Sequence, residues 1–289
     1  MSKIPKKRSY FCGWYVKQQN ASDVVAFIPA FHVNEKGQEA ASLQVITEDF
    51  AASFDYSINE LSFDKKRFFV RVGDNIFSEN YCSVKIKENG YDIEGTLRYV
   101  RFTKPNYDVM GPFRLLPLEC RHFVLSLTHQ VWGELLVNGR KIAFENSRGY
   151  VEGDLGRSFP ENYIWTQVLF DNNSIFAAVA DVPVFNKSIT GIAAIILYRH
   201  KQYRFATYLG ARIEHLTSKS VYIRQGNMSL YIERQDFRGK NLLAPKNGSM
   251  ERIVHECPSC TVRYCFAIKD EIVFDIISEL ASYEYNLTS

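Results

Sequence analysis

Cysteine is scarce, with six in 289 residues. That is too few for a disulfide scaffold, and reduced thiols are the expected state. An excess of one charge is also missing, because 35 Lys and Arg stand against 32 Asp and Glu for a formal net charge of +3. So even a balance argues against a nucleic-acid partner. The one basic cluster, Lys3 to Arg8, reads as a solvated tail. Long hydrophobic runs are lacking too: the most apolar, Ile189 to Tyr198, falls well short of the roughly 20 residues a helix needs to cross a bilayer. No integral membrane segment is expected. The basic start passes through Tyr10-Phe11-Cys12-Gly13-Trp14 into Lys17-Gln18-Gln19-Asn20 with no apolar core segment, so no signal peptide is expected and the location read from this is cytoplasmic. The phosphate loop Gly-x-x-x-x-Gly-Lys-(Ser/Thr), His-Glu-x-x-His and the Gly-x-Ser-x-Gly elbow are all missing. Helical periodicity is sparse, and only Glu48 to Tyr56 and Ile276 to Ser282 offer room for short helices.

What is abundant is aromatic: 21 Phe and 17 Tyr, rings that pack well on a pleated surface. Strand-like runs alternate with polar breaks along the whole chain. Asn89-Gly90 and Asn138-Gly139 are hairpin signals, because a type I′ turn needs positive φ at both central positions. Many short strands at close spacing predict an all-β, mainly antiparallel protein of barrels or sandwiches. The second part repeats the opening in outline. Trp14 with Gln18, followed by Val24 to Phe31, is matched about 150 residues later by Trp165 with Gln167, followed by Phe176 to Phe185. Two β halves are therefore expected, residues 1–145 and 146–289.

The chain is organised around Gly149 to Gln167. Successive strand residues point to opposite faces, so Tyr150, Glu152 and Asp154 share one face, while Val151 and Leu155 share the other. After a Gly/Pro/Asn-bearing turn, Tyr163, Trp165 and Gln167 share a face. Folded as a hairpin, the stretch sets two carboxylates against large rings, an unusual place for groups that seek water. On one strand face the two acids stand roughly 6–7 Å apart, so in a dry pocket one stays protonated. A protonated carboxyl is a proton donor, and ring faces can hold a nearby cation at about 0.5–2 kcal/mol per contact; this makes a candidate site and names no substrate. An Arg157 pairing with either acid would spoil this. The competing reading is that the acids cap turns and Trp165 fills the core.

This stretch resembles the signature of the tocopherol cyclase-like family, Tyr-x-Glu-x-(Asp/Asn)-Trp-Gly-x-x-Phe-Pro followed by aromatic-x-Trp-x-Gln. The match falls at Tyr150, Glu152, Asp154, Gly156, Phe159, Pro160, Trp165 and Gln167, with Leu155 where the family usually has Trp. Weaker echoes lie at Gly13 to Lys17, Ser42 to Ile46, Met110 to Phe113, Glu119 to His122, Tyr203 to Tyr208 and Ala281 to Tyr285. The resemblance implies two lipocalin-like halves and acid-promoted ring closure on a prenylated phenol. Glu152 and Asp154 are then the candidate catalytic acids. Because the family tolerates Asn at the second position, either can be the donor. Tyr150, Tyr163, Trp165, Gln167, Trp14, Glu119 and His122 are candidate substrate-binding residues. No cofactor is called for, since the protein supplies the proton. The partner is a lipophilic small molecule, and the rival function is a non-catalytic lipocalin-like binder or carrier of one.

Two other groups need placing. If Cys120 to His129 is extended, Cys120 and His122 face one way and His129 the other, which weakens a shared catalytic pair. His122 can orient a phenol or relay a proton, or be satisfied by a backbone carbonyl. His255, Cys257, Cys260 and Cys265 form a nominal zinc set with irregular spacing, so no metal is expected. No helix or βαβ pattern follows Cys257-Pro258-Ser259-Cys260 to support a redox pair.

Overall fold

The computed structural model describes residues 9–64, 66–184 and 187–287. The basic cluster Lys3 to Arg8 and Phe185 at the end of the repeat lie outside them. The described residues form two antiparallel sheets and three short 3-10 turns, Ile58–Glu60, Gly111–Leu115 and Thr207–Leu209, with no α-helix. Among them, no helix is long and apolar enough to cross a membrane.

The first sheet is built from β1 (Tyr10–Gln19), β2 (Val24–Val33), β3 (Glu39–Thr47), β4 (Ala51–Tyr56), β5 (Leu61–Phe63) and β6 (Phe69–Val72). It continues with β7 (Asn75–Ser78), β8 (Tyr81–Glu88), β9 (Tyr91–Val100), β10 (Cys120–Val137) and β11 (Arg140–Gly156). The second comprises β12 (Tyr163–Phe170), β13 (Asn173–Val184), β14 (Lys187–Tyr198), β15 (Lys201–Ala206) and β16 (Arg212–Leu216). Its remaining strands are β17 (Ser220–Gln225), β18 (Met228–Arg234), β19 (Lys240–Lys246), β20 (Ser249–Ile268) and β21 (Glu271–Asn286).

One path is traced twice. The first sheet runs β4-β3-β2-β1-β11-β10-β9-β8-β7-β6-β5, and the second β15-β14-β13-β12-β21-β20-β18-β17-β16 with β19 beside β20. Each brings its closing strand, β11 or β21, back beside its opening strand, β1 or β12. That is the trace a duplicated domain leaves. The first sheet nearly closes on itself, with Phe54 of β4 packed edge-on against Tyr91 of β9 at 5.8 Å. The turns follow the local chemistry: Asn89 and Gly90 have φ of 53° and 83°, and Asn138 and Gly139 have 50° and 81°.

The chain divides into two compact units. The first holds residues up to Lys104, Cys120–Phe159 and Leu242–Ile253; the second holds Pro105–Glu119, Pro160–Asn241 and the chain from Val254 on. The boundary expected at 145/146 falls inside β11, which is laddered to β1 and β10 along its length. The changeover comes at Phe159/Pro160 instead, so the Tyr150–Asp154 motif belongs to the first unit. The hairpin Leu242–Ile253 joins that unit for a visible reason: the Gln44 amide donates to Leu243 O and accepts from Leu243 N, both at 2.9 Å.

Neither expected helix forms. Ala51–Tyr56 is β4, and Ile276 to Ser282 lies within β21. There the burial alternates residue by residue from Asp275 to Leu280, and the ladder to β20 overrides weak helical propensity. The first core gathers Trp14, Val16, Phe27, Leu43, Phe54, Phe77, Leu97 and Val151; the second gathers Ile164, Val168, Phe205, Ile223, Tyr264, Phe266 and Tyr283.

Candidate functional site

In the first unit β11 is flanked by β1 and β10, and directly opposed residues of antiparallel strands share a face. Val151 is in the core, so Tyr150, Glu152 and Asp154 point the other way, as the alternation predicts. On β1, Gly13, Tyr15 and Lys17 oppose Asp154, Glu152 and Tyr150. On β10, His122 opposes Asp154 and Val124 opposes Glu152. One face thus carries two acids, a histidine, a fully buried lysine and two tyrosines.

His122 bridges the acids. Its Nε2 lies 3.1 Å from Glu152 Oε2, and its Nδ1 lies 3.0 Å from Asp154 Oδ1. Tyr150 donates its hydroxyl to Glu152 Oε2 at 2.5 Å, and the Cys120 thiol donates to Asp154 Oδ1 at 3.4 Å. Burial alone would strip the imidazole of its proton, but the Asp154 and Glu152 carboxylates outweigh it and carry the His122 pKa from 6.5 up to about 10. Burial and the neighbouring Glu152 hold the Tyr150 phenol well above its usual range, so it remains a donor. The space between the two acids is not empty: the His122 imidazole fills it, within hydrogen-bond distance of both.

His129, on the same strand, has the opposite character. It is buried against Tyr99 and Phe102, with ring centroids at 4.6 and 4.5 Å, and its Nδ1 meets Ser126 Oγ at 3.1 Å. Burial pushes its pKa down to about 3, leaving it neutral. Arg157 does not interfere: it is exposed, and its Nε donates to Ser9 Oγ at 3.4 Å. Gly153 lets the strands close. A Cβ there would stand 2.4 Å from Gly13 O and 2.5 Å from Phe123 Cζ.

Several candidates lie elsewhere. Trp14 packs into the first core, and Gln18 donates to Tyr99 OH at 2.6 Å. Glu119 is exposed in the bend before β10. The expected hairpin does not form, because β11 ladders to β1 and β10 while β12 ladders to β13 and β21 in the other sheet. With both edges of each strand taken, Glu152 and Trp165 cannot be cross-strand neighbours.

In the second unit Tyr163, Trp165 and Gln167 share a buried face, and Trp165 and Gln167 oppose Glu284 and Ser282. Tyr163 donates its hydroxyl to Glu284. This geometry corrects the internal match by one residue. Tyr15 opposes Glu152 as Trp165 opposes Glu284, so Tyr15, not Trp14, is the counterpart of Trp165. Glu284, with Glu256 opposite it on β20, holds the position equivalent to Glu152, and both are buried. Aligning the closing strands rather than the tryptophans would have found them. His255, Cys257, Cys260 and Cys265 do not assemble as a metal site; His255 is exposed.

No family model matches the chain, and no curated protein matches it. Its fold is similar to a crystal structure described as a "putative AttH" from Nitrosomonas europaea, with a TM-score of 0.51 and 12% identity over 98% of this chain and 95% of that one. At that identity the likeness establishes a shared all-β architecture.

Proposed function

We propose that the chain is a tocopherol cyclase-like enzyme that promotes, by acid, the intramolecular cyclisation or isomerisation of a lipophilic prenylated or aromatic substrate. The observation that carries this reading is the His122 ring held between Glu152 and Asp154 on a buried strand face, where the two carboxylates favour its protonated form. Asp154 presents the proton, since its side chain is 23% exposed against 5% for Glu152. Covering it with an apolar substrate removes the water that solvates the His122–Asp154 ion pair. Passing the proton from Nδ1 to Oδ1 then discharges both partners, which a dry environment favours.

Protonated Asp154 delivers to the alkene, and the phenol oxygen closes on the cation. The hydroxyl proton released by closure returns to His122. The proton balance closes without a cofactor, and Tyr15 and Tyr150 lie beside the acids on the same strand face, where aromatic rings favour positive charge. Glu152, fixed by Tyr150, keeps the imidazole in place. The reading includes a cytoplasmic setting and a lipophilic small molecule, not nucleic acid, as partner.

The test is turnover of a prenylated hydroquinone by the purified chain in deuterium oxide. A cyclised product carrying one carbon-bound deuterium is expected. Tight binding of the hydroquinone with no conversion would overturn the reading and leave a carrier.

A further inference from the structure

Cys257 and Cys260 stand three residues apart on β20, so on a regular strand their thiols would point to opposite faces. The strand is not regular there. Cys257 opposes Tyr283 and Cys260 opposes Ala281, with a register shift between them. Three steps on β20 span two on β21, the mark of a one-residue bulge. Tyr283 and Ala281 share a face, so their partners do as well, and both thiols enter the second core side by side. Both are free.

The sulfurs are engaged with each other and with the bulged backbone. The Cys257 thiol donates to Ser259 O at 3.4 Å, and the Cys260 thiol lies 3.8 Å from Cys257 O. A hydrogen bond from Cys260 to the Cys257 sulfur, with backbone hydrogen bonds to Arg238 and Ser259, draws the Cys257 pKa down to about 7 despite burial. The same bond and burial push Cys260 upward. One thiol is thus disposed to attack and the other to hold its proton until called upon. The irregular residues Gln235 to Gly239 run beside the bulge, with the Asp236 carboxylate accepting from Thr261 N at 2.7 Å. Entry of a small oxidant to these buried thiols requires local opening of this segment, which that bond and the packing of Phe237 on Tyr285 hold closed.

We propose that Cys257 and Cys260 are a reversible redox dithiol, oxidised by low-molecular-weight disulfides such as glutathione disulfide. The Cys257 thiolate attacks one sulfur of the disulfide, forming a mixed disulfide and releasing one thiolate, which takes up a proton. Cys260 then gives up its proton and displaces the second thiol from Cys257. Two electrons pass from the dithiol to the small disulfide, which leaves as two thiols. The site is independent of the His122 cluster. Neither a helix N-terminus nor a βαβ unit is needed, because the bulge does the work of bringing i and i+3 together.

The reduced full-length chain is exchanged against mixtures of reduced and oxidised glutathione at neutral pH, then alkylated and mapped by mass spectrometry. Loss of about 2 Da confined to the peptide holding Cys257 and Cys260, reversed by excess reduced glutathione, is expected. Cys260→Ser should trap glutathione on Cys257, whereas Cys257→Ser should trap none. On the unaltered chain, Cys257 should alkylate faster than any other cysteine, with a midpoint near pH 7. A pair that stays reduced in fully oxidised glutathione, or a disulfide formed by Cys12, Cys82, Cys120 or Cys265 instead, would overturn the proposal.

Discussion

Replacing His122 with alanine is expected to destabilise the protein by about 3–5 kcal/mol, because it leaves two carboxylates on a buried face without the cation that joins them. A fall in Tm on the order of 10 °C follows for a chain of this size. The effect carries a pH signature. The folded-state pKa of His122 is raised from 6.5 to about 10, so its contribution is complete below about pH 6.5 and disappears as pH rises through 10. The gap between wild type and His122→Ala should therefore be widest near pH 6–7 and narrow towards pH 10. Denaturant titrations across that window measure it directly. A gap that widened with pH would mean that the imidazole is neutral in the folded protein. Substituting Glu152→Gln and Asp154→Asn alongside His122→Gln should recover most of the loss, since replacing the whole charged set removes the uncompensated charges.

Asp154→Asn is expected to lower turnover of a prenylated hydroquinone by about 10²–10⁴, the usual contribution of a positioned acid, while ligand affinity changes only a few-fold. Asn can neither take the proton from Nδ1 nor pass it on. Glu152→Gln should act differently. It leaves Asp154 in place but removes one of the two charges that hold the proton on His122, so the pH profile of turnover should shift to lower pH. Single-turnover kinetics with binding measured separately distinguish the two. Equal, pH-independent losses in both variants would indicate that the acids only shape the face.

Much of this site is legible in the sequence. Alternation places Tyr150, Glu152 and Asp154 opposite Val151, because side-chain period on a strand is local information; between His122 and His129 two register shifts interrupt that period. Pairing is not local. The turn after Gly156 carries Gly, Pro and Asn and looks like a hairpin connection, yet β11 and β12 each find both partners elsewhere. Likewise, His122 reaches the acids only because β10 lies beside β11, a neighbour that no sequence window of that length contains. The tryptophan match between halves slipped by one residue. On a strand that exchanges faces, so the match points to Trp14, which packs in the core, and not to Tyr15 or Glu284. No helix follows Cys257 and Cys260 in the sequence to mark them as a pair. A bulge, visible only as a register shift against β21, supplies the same proximity.

The charge on His122 is the point from which the rest follows, and nitrogen-detected NMR of the ¹⁵N-imidazole reads it residue by residue. With His122→Gln used for assignment, both ring nitrogens of His122 should keep protonated shifts at pH 8 and titrate only towards pH 10, while His129 stays neutral down to acid pH. A His122 ring already neutral at pH 7.5 would contradict the account.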